Sequence, residues 1–314
     1  MRVFVTGASG WIGSAVVPEL LGAGHQVVGL ARSDASAAAL AAAGAEVRHG
    51  SLDDLETLRD EAAASDGIIH LAFKHDLAFT GDFQGAADAD RRAVEVFGNT
   101  LAGSDRPLVI ASGTLFAAPG RLATEHDGHD PGTAASLPEG PRTRSETAEL
   151  TLALAERGVR SSVLRLPPTV HGDGDQGFMA TIVAIAREKS VSGYINDGAN
   201  RWPAVHRLDA ARLFHRALET AAAGSTLHAV ADEGVPLREI AEVIGRHLNI
   251  PVESIPHHAA ADHFAWLAEL LSTDAPASSA LTRDLLDWQP THPGLIEDLE
   301  QGHYFQQQHT ATTA

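Results

Sequence analysis

Short apolar runs alternate with segments of helical periodicity throughout the first half of the chain. The apolar runs occupy residues 3–6, 27–30, 45–49, 68–72 and 108–111. The segments between the first four runs, residues 12–21, 35–43 and 54–64, are each long enough for a crossover helix. This order predicts an α/β fold in which helices cover both faces of a doubly wound parallel sheet. Pro18 lies within the first predicted helix and removes one backbone hydrogen bond, which disfavours a helix there. We still expect a helix over residues 12–21.

A long segment without regular periodicity interrupts this alternation. Residues 113–142 are rich in Gly, Pro, Thr, Asp and His, a composition typical of a surface loop. We expect a helix over about residues 143–157 and a strand over about residues 159–166, which Pro167-Pro168 ends. A later helix is expected to open near Pro236, because proline suits the first turn of a helix.

The loss of regularity after Pro167-Pro168 suggests a division of the chain. Residues 1–166 form the predicted sheet domain, and residues 205–231 are expected to return to it. Residues 167–204 and 232–314 are assigned to a smaller C-terminal substrate-binding region. The last dozen residues are expected to form a frayed tail.

Composition excludes several classes of function. Asp and Glu number 41 against 23 Lys and Arg, and a net charge of −18 repels nucleic acid and anionic lipid surfaces. No apolar run is long enough to span a membrane, and the first residues contain no signal-peptide core. With no cysteine, disulfides and thiolate chemistry are absent, which fits a reducing cytoplasm.

The strongest motif follows the first apolar run directly and precedes the first helix. Gly7, Gly10 and Gly13 have the spacing of a dinucleotide-binding turn, and the following helix offers its first amides to phosphates. The same residues without a ligand would be a glycine-rich turn. The motif predicts a Rossmann-type sheet whose cofactor contacts here are Gly7, Ser9, Gly10, Trp11, Ile12 and Gly13.

The end of the second run favours NADP(H) as the cofactor. An NAD enzyme places an acidic residue here on the ribose diol, but this chain has Arg32 and Ser33. A guanidinium and a hydroxyl suit a 2′-phosphate. Asp34 leaves NAD open as the alternative.

Further segments resemble the short-chain dehydrogenase/reductase superfamily in its extended or atypical branch. The resemblance covers nearly the whole chain and implies an epimerase/dehydratase-like protein with helix pairing into a homodimer. It also implies further cofactor contacts in three segments around 50–53, 69–72 and 165–172. The residues concerned are Ser51, Leu52, Leu71, Ala72, Pro167 and Val170.

The catalytic pair typical of that superfamily is missing. Its members use Tyr-x-x-x-Lys, in which the lysine lowers the tyrosine pKa so that the phenol can exchange a proton. The tyrosines here are Tyr194 and Tyr304, and neither has a lysine four residues later. Pro141 and Ser145 occupy the corresponding positions.

If hydride transfer occurs, another group or water must balance the proton, unless the substrate is already activated as an iminium or quinone-methide electrophile. His75 follows the fourth strand at the edge where such sheets bind ligands, and it is the first candidate. Ser112 and Thr114 match the serine region of the family, and His171 follows Pro167-Pro168. His206 is interpreted as structural. The segment 126–130, His-Asp-Gly-His-Asp, is interpreted as a solvated acidic loop, so no metal site is predicted.

These residues predict an NADP-dependent oxidoreductase that reduces a carbonyl, imine or activated C=C of a small organic substrate. Two alternatives stay open at this point. A non-catalytic NADP(H) sensor would explain the missing tyrosine and lysine. A sugar-nucleotide epimerase or dehydratase would fit the extended branch, although such enzymes use the tyrosine that this chain lacks.

Overall fold

A seven-stranded parallel sheet forms the centre of the protein. The computed structural model describes residues 1–129, 132 and 135–306, with the backbone alone at Phe79. The strand order in the sheet is β10-β6-β5-β4-β1-β2-β3. The strands are β1 Arg2–Thr6, β2 Gln26–Ala31, β3 Glu46–His49, β4 Gly67–His70, β5 Pro107–Gly113, β6 Arg160–Leu166 and β10 Ser225–His228.

Helices cover both faces of this sheet. Against one face pack α1 and α8, whose buried residues join those of the strands in one apolar cluster. On the other face, α3, α5 and α6 contribute to a second cluster. The helices of this part are α1 Gly13–Gly22, α2 Asp34–Ala42, α3 Leu55–Ala64, α4 His75–Phe79, α5 Phe83–Leu101, α6 Glu139–Ala153 and α8 Arg207–Thr220. Helix α7, Phe178–Lys189, packs in the smaller region described next. The predicted doubly wound fold is confirmed, and α1 continues through Pro18.

A smaller region packs around a third apolar cluster. Its strands form a three-stranded sheet, β11-β9-β7, and a parallel pair, β12-β8. They are β7 Thr169–His171, β8 Ser192–Ile195, β9 Arg201–His206, β11 Asp232–Pro236 and β12 Val252–Ile255. Its helices are α9 Leu237–Leu248, α10 Ala260–Phe264, α11 Ala268–Leu271 and α13 Leu295–Glu300, whereas α12 Ala280–Leu286 packs against α8 and β10 of the large sheet. The division of the chain into domains stays a prediction.

Two boundaries differ from the sequence-based expectation. The predicted loop 113–142 is wrong at its end, because α6 begins at Glu139 directly after Pro138. Pro141 lies in the first turn of this helix, where its missing N–H has no intrahelical partner to lose. The predicted tail is wrong at its start, because Tyr304 is buried within a 3₁₀ turn, His303–Phe305. The rest of that tail, residues 307–314, lies outside the described residues.

In the part of the chain that the structure describes, no helix combines the length and the apolar content needed to cross a bilayer.

A neutral histidine is buried where β10 meets the C-terminal segments. The ring of His228 donates from Nδ1 to the carbonyl of Ser278 at 2.8 Å, and Nε2 lies 3.4 Å from an Arg165 guanidinium nitrogen. Burial and the positive charge of Arg165 lower the pKa of His228 to about 4. The folded protein therefore keeps this imidazole neutral well below the pH at which a free histidine takes up a proton.

This burial predicts a specific loss of stability in mild acid. Between pH 6.5 and 4 the unfolded chain protonates His228 and the folded protein does not, so the free energy of unfolding falls as the pH falls. Between pH 7 and 5 we expect wild type to lose about 2 kcal/mol more than His228→Gln, measured by urea denaturation. His258→Gln, at an exposed position, is the control and should follow wild type. Equal losses in wild type and His228→Gln would contradict a buried neutral imidazole.

Candidate functional site

One large cleft opens along the carboxyl ends of the parallel strands. Its volume is about 1220 Å³, and loops after β1, β2, β3, β4 and β6 line it. Ligands of doubly wound sheets bind at this edge. Fourteen of the residues predicted from sequence line the cleft, namely Gly7, Ser9, Gly10, Trp11, Ile12, Gly13, Arg32, Ser51, Leu52, Leu71, Ala72, His75, Pro167 and Val170.

The turn after β1 requires glycine at two of its positions. Gly7 has φ +65°, and a Cβ there would lie 2.7 Å from the amide nitrogen of Ala72. A Cβ on Gly13 would overlap the carbonyl oxygen of Gly7. The turn therefore packs backbone against backbone on both sides, which holds α1 tightly against β1 and β4.

The residues at the start of α1 line the cleft, and no side chain caps the helix. Ile12 is the N-cap residue and its side chain makes no cap hydrogen bond. Among the residues that the structure describes, the amides of Trp11 and Ile12 donate to no protein acceptor. Uncapped amides at the start of a helix are the donors with which proteins hold anionic phosphate groups.

The indole of Trp11 joins this turn to the opposite wall of the cleft. Its Nε1 donates to the carbonyl of Val170 at 2.8 Å. The guanidinium of Arg207 lies 4.3 Å from the centre of the same indole ring. The glycine turn and the segment after β6 are thereby fixed relative to each other.

The cleft carries paired charges on its β2 side. Arg32, which follows β2, forms an ion pair of 2.9 Å with Asp76. Lys74 forms another of 2.6 Å with Asp53, in the loop after β3. Residues 73–76, which we call the clasp, are thus tied to two loops on the far side of the cleft. Ser33 does not line the cleft, because its hydroxyl caps α2 and accepts from the Ser36 amide.

Aromatic and basic side chains surround His75, which is part of the clasp. The rings of Phe73 and His75 lie 5.2 Å apart, and the Arg144 guanidinium lies 4.1 Å from the centre of the Phe73 ring. Burial and the positive charge of Arg144 lower the pKa of His75. At neutral pH this imidazole is therefore predominantly uncharged, so it can orient a substrate oxygen but is a weak proton donor.

The predicted hydroxyl candidates lie deeper than His75. Thr114 is 1% exposed, and its hydroxyl makes no hydrogen bond among the described residues. Ser112 is half-buried in β5, in register with Arg165 of β6. Neither residue lines the cleft, so the structure does not bring them together with His75.

His171 is fully buried behind the cleft wall. Its Nδ1 lies 2.9 Å from a carboxylate oxygen of Asp298, which also binds His303. The neighbouring His206 stacks on His292, and burial together with the nearby rings of His171 and His292 lowers its pKa to about 4. This histidine cluster joins β7, β9 and α13, and it does not line the cleft.

The acidic loop around His126 forms ordinary surface pairs. His129 binds Glu149 at 2.6 Å, and Asp127 pairs with Arg121. Asp130 lies outside the described residues.

Comparisons with known proteins agree with this arrangement of fold and cleft. The sequence profile of the NAD dependent epimerase/dehydratase family matches residues 3–230. The chain belongs to this family. It is therefore of the epimerase, dehydratase and reductase type within the extended short-chain dehydrogenase/reductase group, as the sequence motifs indicate.

Two relatives extend over almost the whole chain. An uncharacterised protein of Schizosaccharomyces pombe is 48% identical over 97% of this chain and 100% of its own length. Another from Saccharomyces cerevisiae is 43% identical over 95% and 98%. At lower identity, a Streptomyces protein described as 3-diazoavenalumate denitrifying reductase is 28% identical over 95% and 99%.

Solved structures of the family share the fold at low sequence identity. Pal from Bacillus thuringiensis has a TM-score of 0.76 at 18% identity, covering 96% of this chain and 98% of its own. The UDP-glucose 4-epimerase of Thermotoga maritima has a TM-score of 0.73 at 17% identity, covering 97% and 98%.

Sequence reasoning missed Asp175, which lines the cleft beyond β7. Its carboxylate accepts from the Gly177 amide at 2.6 Å and from the Tyr304 hydroxyl at 2.9 Å. Burial raises the pKa of Asp175. Burial and the Asp175 carboxylate raise the pKa of Tyr304, the reverse of what a family lysine does to its tyrosine. The signal for Asp175 was its position in a Gly/Asp turn where the substrate region was expected to begin.

We predict that the turn at Gly7 tolerates no side chain. Gly7→Ala should lower the free energy of unfolding by at least about 2 kcal/mol, because the left-handed conformation and the contact with Ala72 are both unfavourable for alanine. Gly22→Ala is the matched control at the end of α1, where a Cβ meets nothing within 4 Å. Urea denaturation measures both, and a Gly7→Ala protein as stable as wild type would show that the turn is not constrained.

Proposed function

We propose that this protein binds NADP(H) in the cleft and reduces a carbonyl, imine or activated C=C of a small organic substrate. One observation carries the proposal. A single cleft joins a glycine turn with free amides to the guanidinium of Arg32 on one side and to the aromatic rings near His75 on the other. The reaction proceeds without the Tyr-x-x-x-Lys acid of the superfamily.

The residues of the cleft suit the parts of an NADP molecule in turn. The amides of Trp11 and Ile12 would hold the pyrophosphate, and the loop at Ser51 and Leu52 would flank the adenine. Pro167 and Val170 would lie beside the nicotinamide. NADPH bound there supplies the hydride.

Arg32 supports the choice of NADP(H) over NAD(H), with one competing charge. No carboxylate follows β2 at the position of Arg32, so the ribose diol of NAD lacks its usual acceptor there. The partner of Arg32 is Asp76, whose carboxylate would oppose a 2′-phosphate. Binding of NADP(H) would therefore exchange the Arg32–Asp76 pair for a guanidinium–phosphate pair.

The groups around the hydride position favour a substrate that is already electrophilic. Reduction of a simple ketone leaves an alkoxide that needs a proton, and the lowered pKa of His75 makes it a poor donor. Iminium ions and quinone methides accept hydride without that proton. The Streptomyces relative is described as 3-diazoavenalumate denitrifying reductase, which supports reduction as the type of reaction.

Aromatic walls point to a flat, conjugated substrate. Phe73 and Phe178 both line the cleft. Phe178 contacts the ring of Trp266 at 5.9 Å, and Trp266 is 53% exposed. Such rings bind planar molecules by stacking, which adds about 0.5–1.5 kcal/mol per ring pair beyond the buried area.

A second candidate function is that of a non-catalytic NADP(H) sensor. The predominantly neutral His75 and the buried hydroxyl of Thr114 favour it, because neither is a ready proton donor. Tight NADP(H) binding without turnover of any electrophile would support this function instead.

The cofactor proposal predicts that substitutions of the two partners of the Arg32–Asp76 ion pair change the affinity for NADP(H) in opposite directions. Arg32→Ala should weaken NADP(H) binding by roughly 10-fold or more and leave NAD(H) binding nearly unchanged, because the guanidinium contacts only the 2′-phosphate. Asp76→Asn should strengthen NADP(H) binding, since it removes the opposing carboxylate. Calorimetric titration measures all four affinities. A wild-type protein that binds neither NADP(H) nor NAD(H) would overturn the proposal.

The reductase proposal predicts turnover with conjugated electrophiles. The absorbance band that is specific to NADPH should disappear when quinones, iminium ions or enones are added. The rate of this loss should be higher than with saturated ketones. His75→Ala should lower kcat/KM by roughly 10-fold or more, because it removes the group that orients the acceptor atom. His258→Gln, on the exposed surface, is the control and should keep wild-type activity. NADPH left intact by the whole panel would exclude the reductase.

A further inference from the structure

A second cluster of polar side chains lies at the edge of the sheet opposite the cleft. His25 directly precedes β2, so it is at the amino end of a strand whose carboxyl end leads to Arg32. His215 and Glu219 are one turn apart on α8 and face His25, while Glu19 projects from α1. None of these four residues takes part in the site described above.

Three side-chain atoms in this cluster converge on one point. Nε2 of His25 lies 3.2 Å from one oxygen of Glu219, and Nε2 of His215 lies 3.3 Å from the other. All three ligand atoms are within 4.8 Å of one another. Two ligands held about 2.0–2.1 Å from a tetrahedral metal ion are about 3.3 Å apart. Each of the two nitrogen–oxygen separations has about this length, although they end on different oxygens of Glu219.

The other nitrogen of His215 is already occupied by a carboxylate. Nδ1 lies 2.9 Å from Glu19, so Nδ1 carries the proton and Nε2 of a neutral ring carries the lone pair. That lone pair then faces the Glu219 carboxylate. A carboxylate on the outer nitrogen of a ligating histidine is the usual partner of a metal-bound imidazole.

Neither Nε2 atom makes a hydrogen bond among the described residues. The oxygens of Glu219 are near enough, so the directions of the two rings are what prevent it. The side chain of His25 is only 7% exposed, so water does not easily replace the missing partner. Nδ1 of His25 lies 3.4 Å from the Met1 amino group, so binding of a metal ion at Nε2 requires that Nε2 gives up any proton it carries.

We propose that His25, His215 and Glu219 form a binding site for a divalent transition-metal ion of the Zn²⁺ class. Two imidazoles and one carboxylate suit Zn²⁺ and disfavour Ca²⁺ and Mg²⁺, which prefer oxygen ligands. Glu19 is a positioning residue that orients His215. Three protein ligands leave a fourth position for water, and Glu219 is 43% exposed, so an ion can enter from solvent.

The site would tie three elements of the fold together. His25 fixes the start of β2, and His215 and Glu219 belong to α8, which packs against α1. A metal ion bound only by the folded protein would stabilise it by mass action. The site lies apart from the cleft, so its test does not depend on the proposed reaction.

The experiment measures Zn²⁺ binding to tag-free, full-length protein from which metal has been removed by a chelator. Calorimetric titration with Zn²⁺ should show one ion per chain in wild type, and the thermal unfolding midpoint should rise with Zn²⁺. His215→Ala and Glu219→Gln should each weaken binding by roughly 100-fold, and Glu19→Gln by roughly 10-fold to 100-fold. Circular dichroism checks that each variant is folded.

The matched control is His247→Gln. His247 pairs with Glu300 at 2.9 Å and is also partly buried, but no third ligand converges on this pair among the residues that the structure describes. Its substitution should leave Zn²⁺ binding and the Zn²⁺-dependent midpoint unchanged.

Three results would overturn the proposal. The first is a wild-type protein that does not bind Zn²⁺ with one-to-one stoichiometry, and the second is a Glu219→Gln protein that binds it as tightly as wild type. The third result is that Glu219→Gln lowers the stability of the protein equally with and without Zn²⁺. This would be expected if a protonated His215 ring and the Glu219 carboxylate form an ion pair and no metal ion binds. Glu219 is partly exposed, so its variant decides the question even if His215→Ala does not fold.

Discussion

The close contact between the turn after β1 and the backbone after β4 is the constraint on which the rest of the cleft depends. Gly7 approaches Ala72 so closely that no Cβ fits, and Thr6 Oγ1 accepts from the Ala72 amide at 3.3 Å. The same hydroxyl lies 2.6 Å from the ring of His70. This packing sets the position of the α1 amides and the point at which the chain leaves β4 towards Phe73. The part of the cleft next to this turn is therefore bounded by closely packed backbone.

Most of the sheet and of the glycine turn could be predicted from the sequence because local pattern determines them. Buried parallel strands are continuous apolar runs, and Gly7, Gly10 and Gly13 have few other uses at that spacing. The start of α6 was missed because proline has two opposite meanings. A proline in the interior of a helix breaks it, whereas a proline in the first turn is tolerated. Composition alone does not show which of these two positions Pro141 occupies.

The charged and catalytic part of the site was less accessible from sequence, since its contacts join residues far apart in the chain. Nothing near Arg32 indicates that Asp76 would pair with it, and nothing near Asp175 indicates Tyr304. The histidines show the same limit. His171 resembled His75 in its position after a strand, but it binds Asp298 from α13 and is fully buried. Only packing of the C-terminal segments separates the two.

The clasp has a consequence for the rate at which a nucleotide enters and leaves. Residues 73–76 are held across the cleft by two ion pairs at the surface, in which Lys74 is 25% exposed and its three counterparts are largely exposed. Such pairs are individually weak and screened by salt. A reductase must exchange its oxidised cofactor after every cycle, whereas an epimerase retains it. In the proposed complex the 2′-phosphate takes the Arg32 guanidinium from Asp76, so of the two pairs only Lys74–Asp53 would still hold the clasp beside the bound dinucleotide, and added salt would weaken it.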